Sequence, residues 1–364
     1  MHHRDAFKAV KAMFKSSFSA LYCYGSTAPL SPYLEVYRAN HTIAATTGFV
    51  LNLFLFVVIR ECTRNSTQPA KVLLMVSTAH DLWYCAFELF LRRVIYQTDG
   101  IMYVLAFGWD AHFSSYFNYL LGIIHFFNMT QNMMVQTVIH RFRYHIVCST
   151  TPPDYRFLFR NLLMFALPSL YLSLSLKVAL ISGTEKSYDS AMTQLPEEWR
   201  LVDGSSNVVE VALWDDKWTK IFVLNNCLVA GVAYHMCLHY IRMCYSSINR
   251  TQLSSSVSSK TIDHRGQFNR CLVAQTVCMT ILIIIPSALW CLNFITKAHG
   301  LYLGLPSMIC LSWFGAINAS IPLVYVKTVR RCALDILFCR RRNAPDLSTM
   351  SKVDETNSKS DRKH

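Results

Sequence analysis

What most constrains this chain is the recurrence of long apolar stretches at even spacing. Seven can be read, at about 41–60, 69–92, 112–139, 157–181, 218–243, 268–296 and 301–327. A helix needs about 20 mostly apolar residues to cross the hydrocarbon of a bilayer. "GFVLNLFLFVVI" and "VCMTILIIIPSALWCL" meet that condition most fully, whereas the stretches that start near 69 and 112 are diluted by polar residues. Composition points the same way: 52% of residues are hydrophobic and 16% charged, against about 25% charged in average soluble proteins. The fold class expected is an all-α membrane protein, a seven-transmembrane helix bundle.

The net charge is +13. In a soluble chain that would suggest nucleic acid. Here the basic residues follow a topology instead, and no nucleic-acid partner is expected. The first, third and fifth connections and the tail hold 22 Lys and Arg, while the opposite side holds 11, five of them in the N-terminal segment. Membrane proteins keep Lys and Arg on the cytoplasmic side, so the N-terminus is expected outside and the C-terminus in the cytoplasm.

Four segments follow. Residues 1–40 read as an extracellular N-terminal segment, 41–327 as the seven-helix domain, 328–342 as an amphipathic membrane-surface helix and 343–364 as a disordered cytoplasmic tail. The N-terminal "AFKAVKAMFKSSFSALYCYG" has no continuous apolar core, so the first span is expected to act as its own insertion signal. Asn40, in "NHT", is a glycosylation candidate, and Cys332 and Cys339 are palmitoylation candidates. The 13 cysteines fall mostly inside the spans with no CxxC pair, so neither a disulfide framework nor a metal site is expected.

Polar residues inside the spans carry the functional reading, because a polar group in hydrocarbon must face protein or water. In the third span Asn118, His125, Asn128, Asn132 and Gln136 share one face by helical spacing, which makes that helix central. Interhelical hydrogen bonding explains Asn128, Asn132 and Gln136, while His125 suits either packing or a pocket floor. In the second span Asp81 and Glu88 share a face, and Arg92, four beyond Glu88, is placed to pair with it. Asp81 with Asn52 and Asn318 would join spans 1, 2 and 7, as a structural cluster or as a sodium or proton switch. Pro286 and Pro322 lie inside spans 6 and 7 and should kink them, statically or as pivots. Trp290 sits four residues past the first kink and is a pocket candidate.

"HRFRY" closes the third span with basic residues where they can meet the cytoplasm and anionic lipid. Together with "GFVLNLFLF" (48–56), "LLMVSTAHDLWY" (73–84), "QFNRCLVAQTV" (267–277) followed by Pro286, and "INASIPLVYVKTVRRCAL", it resembles the nematode serpentine chemoreceptors of the Str/Srd superfamily, which are of the G-protein-coupled type. The resemblance covers about 41–340. It departs from rhodopsin-type receptors in three places: His140 stands where an acidic residue precedes the arginine, Asn318 and Pro322 are four apart, and no cysteine sits at the top of span 3 or in the long acidic loop.

The resemblance implies a plasma-membrane receptor of a sensory cell. Its partners would be a small-molecule ligand, a heterotrimeric G protein and the bilayer. Expected ligand-binding residues are Glu88, Tyr116, Tyr119, His125, Asn225 and Trp290. Arg141 and Arg143 would meet the G protein, and Asn52, Asp81, Pro286, Asn318, Pro322 and Tyr325 would form the switch. No cofactor is expected beyond a sodium ion near Asp81. No catalytic constellation is visible, so the chain does not read as an enzyme. The alternatives are a multi-pass transporter or a ligand-gated channel with Asp81, Glu88 and Arg92 along a path, although no internal repeat favours the first.

Overall fold

The computed structural model describes residues 32–62, 69–109, 113, 115–148, 153–200, 206–252, 259–297 and 304–338. Helix α1 spans Pro32–Cys62 and α2 spans Pro69–Leu91, each opened by a proline, a residue suited to a helix's first turn because it has no N–H to satisfy. Then come α3 (Ser115–Cys148), α4 (Tyr155–Gln194) and α5 (Lys217–Gln252). Asp154 caps α4, its carboxylate accepting from the Phe157 N–H at 2.8 Å.

The sixth span is α6 (Ser259–Met279), a π turn (Thr280–Ile284) and α7 (Ile285–Thr296). The seventh is α8 (Gly304–Tyr325), followed by the short α9 (Lys327–Leu337). Among the described residues, five spans are long and apolar enough to cross a membrane on composition alone: Leu34–Glu61, Tyr155–Gln194, Lys217–Ser247, Asn269–Thr296 and Ser307–Tyr325. The other two, α2 and α3, are those the sequence shows diluted. Their polar residues face protein: in α3 every residue from Thr130 to His140 is buried. A helix surrounded on all sides can carry amides that lipid would not tolerate.

At one end the helices are roofed by a three-stranded antiparallel sheet, β1 (Arg93–Thr98), β2 (Ile101–Ala106) and β3 (Val208–Leu213), in that order. β1 and β2 form a hairpin with Thr98 opposite Ile101, turning through Asp99 and Gly100. Both turn residues have positive φ, +53° and +75°, as a two-residue type I′ turn requires. β3 pairs with β2 from Ile101–Leu213 onward, with a bulge at Val104/Leu105. The Tyr96 ring stacks on Trp199 at 4.2 Å between centroids, and Val94, Met102, Tyr103 and Leu105 are buried.

The sheet is an addition to the expected bundle. The long acidic connection after the fourth span, residues 182–217, extends α4 to Gln194 through a break at Ser187 (φ −148°, ψ 17°) and then supplies β3. The roof is fastened by ion pairs: Lys177 to Glu210, Lys186 to Asp216 at 2.8 Å, and Lys297 to Asp215 at 2.8 Å. The Lys297 ammonium holds the exposed Asp215 carboxyl below its ordinary range, first through its hydrogen bond and then by charge.

Three expectations about modification and boundaries change. α1 begins at Pro32, so Asn40 lies inside it rather than in a free segment. Its Oδ1 accepts from the Trp313 indole at 3.2 Å and its amide nitrogen is buried; packing against α8 leaves no room for a glycan. The surface helix is Lys327–Leu337, with Val329, Cys332 and Ala333 turned to the bundle. Cys332 is 3% exposed, its Sγ 3.7 Å from the Val58 carbonyl, so it does not present a thiol for acylation. Cys339 and 343–364 lie outside the described residues.

Candidate functional site

Directly beneath the sheet, α3, α5, α7 and α8 draw apart around a cavity of about 290 Å³, near the lower end of small-molecule sites. Phe126, Met129, Thr130 and Met133 of α3 form one wall. Asn226, Cys227, Ala230, Gly231 and Tyr234 of α5 form another. Ile283, Ile284, Pro286, Ser287, Ala288, Trp290 and Cys291 come from the sixth span, Ser307, Met308 and Leu311 from α8, and Ile95 of the sheet closes the top.

Spacing explains why these residues meet. Positions 126, 129, 130 and 133 share one face of α3, as 226, 227, 230, 231 and 234 do on α5. The wall of the sixth span depends on Pro286, which has no N–H to give to the carbonyl four residues back. The chain accommodates it with the π turn just before it, in which the Ile285 N–H reaches back to the Thr280 carbonyl. The Pro286 carbonyl in turn accepts from Ser307 Oγ at 3.2 Å. Trp290 is 6% exposed. With the Gln97 amide turned to satisfy both partners, its oxygen accepts from Trp290 Nε1 and its nitrogen donates to the Trp290 carbonyl, both at 3.1 Å. The roof is thereby tied to the sixth span just past its distortion.

Of the six residues expected to bind ligand, Trp290 lines this cavity and the others lie elsewhere. Tyr116 is 81% exposed on the outside of α3. The Tyr119 ring lies under the Lys177 ammonium at 4.1 Å, part of the roof's fastening. Asn225 donates to the Tyr171 hydroxyl at 2.8 Å between α5 and α4, on an exposed surface. Glu88 and His125 belong to a second, buried cluster: the Glu88 carboxylate has His125 Nε2 at 2.9 Å on one oxygen and His41 Nε2 at 3.0 Å on the other. All three residues are at most 5% exposed. A carboxylate so buried persists only with donors on its lone pairs.

The expected Glu88–Arg92 pair does not form. α2 ends at Leu91, Arg92 turns to φ +45°, and its Nε donates to the Leu89 carbonyl at 3.3 Å. His41 is absent from the expected site residues; the sequence signal for it is a second ionisable side chain within an apolar span.

Deeper in the bundle, Asn318 Nδ2 donates to Asp81 Oδ2 at 2.5 Å, and Gln275 Nε2 donates to Asn318 Oδ1 at 3.2 Å. Asn52 donates to the carbonyls of Gly48 and Gly315 at 2.9 and 3.1 Å. The expected joining of spans 1, 2 and 7 is present and includes span 6 through Gln275. Amide donors meet the Asp81 carboxylate oxygen and Asn318 Oδ1, so the cluster is held by hydrogen bonds across the helices. Tyr325 is 41% exposed at the end of α8 and stands apart from this network. Pro322 lies within α8, whose helical course stops at Tyr325 before Val326 turns to φ −98°, ψ 101°.

At the arginine-rich end the two arginines part company. Arg141 lies over the Phe157 ring of α4, 5.7 Å from its centroid. Arg143 is 4% exposed and reaches the Cys271 thiol of α6. His140 is fully buried, with Nδ1 2.6 Å from the Gln136 carbonyl and Nε2 2.7 Å from Thr276 Oγ1 of α6. Thus α3 and α6 are latched by His140–Thr276.

The fold compares well with a receptor of known structure. The crystal structure of squid rhodopsin aligns with a TM-score of 0.57 over 89% of this chain and 95% of its own, at 11% sequence identity; at that identity the likeness is one of fold. No curated protein sequence matches the chain significantly. The family comparison gives the class, an integral-membrane receptor of the G-protein-coupled type. The model of the serpentine-type 7TM GPCR chemoreceptor family Str matches residues 38–334, and the chain belongs to that family.

Proposed function

We propose that this receptor binds a small, largely apolar molecule in the cavity beneath the sheet and relays its presence to a heterotrimeric G protein at the arginine-rich end. The sheet end would face outside and the tail the cytoplasm, in the plasma membrane of a sensory cell. The observation that carries this reading is the cavity's position. It borders the π turn at Pro286, so a ligand that fills it presses on the sixth span where its hydrogen-bond ladder is already interrupted. A ligand shifts such an equilibrium only by binding one arrangement more tightly than the other. Contacts with Trp290 and Met133 give it the means.

The test is a small-molecule screen on receptor reconstituted with G protein, read by nucleotide exchange. Trp290→Ala removes a large buried ring, worth about 1.5–3 kcal/mol of contact, and should lower the potency of an active compound by roughly tenfold or more. An agonist whose potency is the same in Trp290→Ala and in Met133→Trp would rule the cavity out. At the other end, Arg143→Ala is expected to weaken exchange at saturating agonist more than Arg141→Ala, with surface expression as the control. A larger loss from Arg141→Ala would return the coupling role to it.

A further inference from the structure

The cavity is closed towards the sheet and open at its flank. Its roof is made of buried residues, Ile95 at 6% exposure with Gln97 at 2% beside it, and is bonded down to Trp290. Between α5 and α7 the wall is built from small side chains. Cys227, Gly231 and Ala288 line the cavity and are at the same time exposed on the outer surface of the bundle. A Cβ added at Gly231 would meet nothing within 4 Å. The residues flanking this gap are apolar and face outward, with Leu224 69%, Leu228 63% and Leu292 55% exposed. At this depth of a membrane-spanning helix, an outward apolar side chain faces lipid, not water.

We propose that the gap between α5 and α7 is the route by which ligands reach the cavity, and that they therefore come from the bilayer. The ligand class this selects is small, uncharged and lipophilic, concentrated by partition into the membrane before it meets the protein. A charged or strongly hydrated compound would lose its hydration on the way and find few polar partners on arrival. The biological meaning of the route rests on the cavity being the ligand site; the route itself can be tested without any agonist.

The probe is a small apolar aryl diazirine dissolved in lipid vesicles that contain the receptor, photolysed and mapped by peptide mass. Lipid-facing Leu224 and Leu228 will be labelled in every variant and serve as the internal control. In the native chain the label should also appear inside the cavity, on Met133 and Cys291, which are buried. Gly231→Trp, or Ala288→Trp on the opposite lip, should remove it from those two while sparing the control positions. The proposal is overturned if Met133 and Cys291 remain unlabelled in the native chain. It is equally overturned if their labelling persists in both plugged variants. Labelling that follows the gap, combined with agonist potency indifferent to Trp290→Ala, would leave the route standing and remove the ligand-site reading.

Discussion

Thr276→Val should raise ligand-independent signalling. In the structure the Thr276 hydroxyl meets His140 Nε2 at 2.7 Å, and the ring is fully buried between α3 and α6. Valine keeps the volume and the packing but leaves a buried nitrogen without a partner in the closed arrangement. That costs the closed form about 1–3 kcal/mol. If the sixth span can move away from α3, the freed nitrogen meets water there and the cost disappears in the open form. The balance then shifts by roughly five- to 150-fold, visible as nucleotide exchange without agonist. Basal exchange equal to that of the native chain, at equal surface expression, would mean that the latch does not gate the sixth span.

The second large effect concerns Glu88. Replacing it with leucine leaves His41 and His125 facing an apolar side chain deep in the bundle, across α1, α2 and α3. Removing one member of a buried, mutually satisfied set costs about 3–5 kcal/mol. Glu88→Leu should accordingly show a large drop in melting temperature in detergent and little surface expression. Glu88→Gln keeps one acceptor and should fall between. The leucine triple variant at positions 41, 88 and 125 should recover much of the loss, because an apolar replacement of the whole set leaves nothing unsatisfied. Native-like melting of the single Glu88→Leu variant would show the triad to be incidental to folding.

How far the sequence discloses this arrangement differs by element, for physical reasons. The spans are legible because bilayer thickness imposes their length. The central place of α3 is legible because five amides and imidazoles on one helical face can have no other surroundings. The Asp81–Asn318 contact can be anticipated, since isolated carboxylates in hydrocarbon must find donors. The roof is also written in the chain, as "RVIYQTDGIMYVLA", two apolar strands about an Asp-Gly turn. It is hidden by its position between two membrane spans, where the connection reads as a loop.

The cavity is not legible beyond Pro286 and Trp290. Its walls are ordinary Met, Phe, Cys and Ala residues, and only the convergence of four helices gives them meaning. Sequence spacing places Arg141 and Arg143 at the end of the third span but does not show which way its last turn points. Three positions of difference between His140 and Arg143 keep both on the inner face, while Arg141 lies about a hundred degrees round.

The strands of the roof contain no cysteine, and its fastenings are charge pairs, a tyrosine–tryptophan stack and the Gln97 amide. Among the described residues nothing covalent pins it to the helices beyond the chain itself. Thiol reductants, which unfasten cystine-stapled caps, should therefore leave this one seated. Low pH, which discharges the carboxylates of Glu210, Asp215 and Asp216, is the condition that would loosen it.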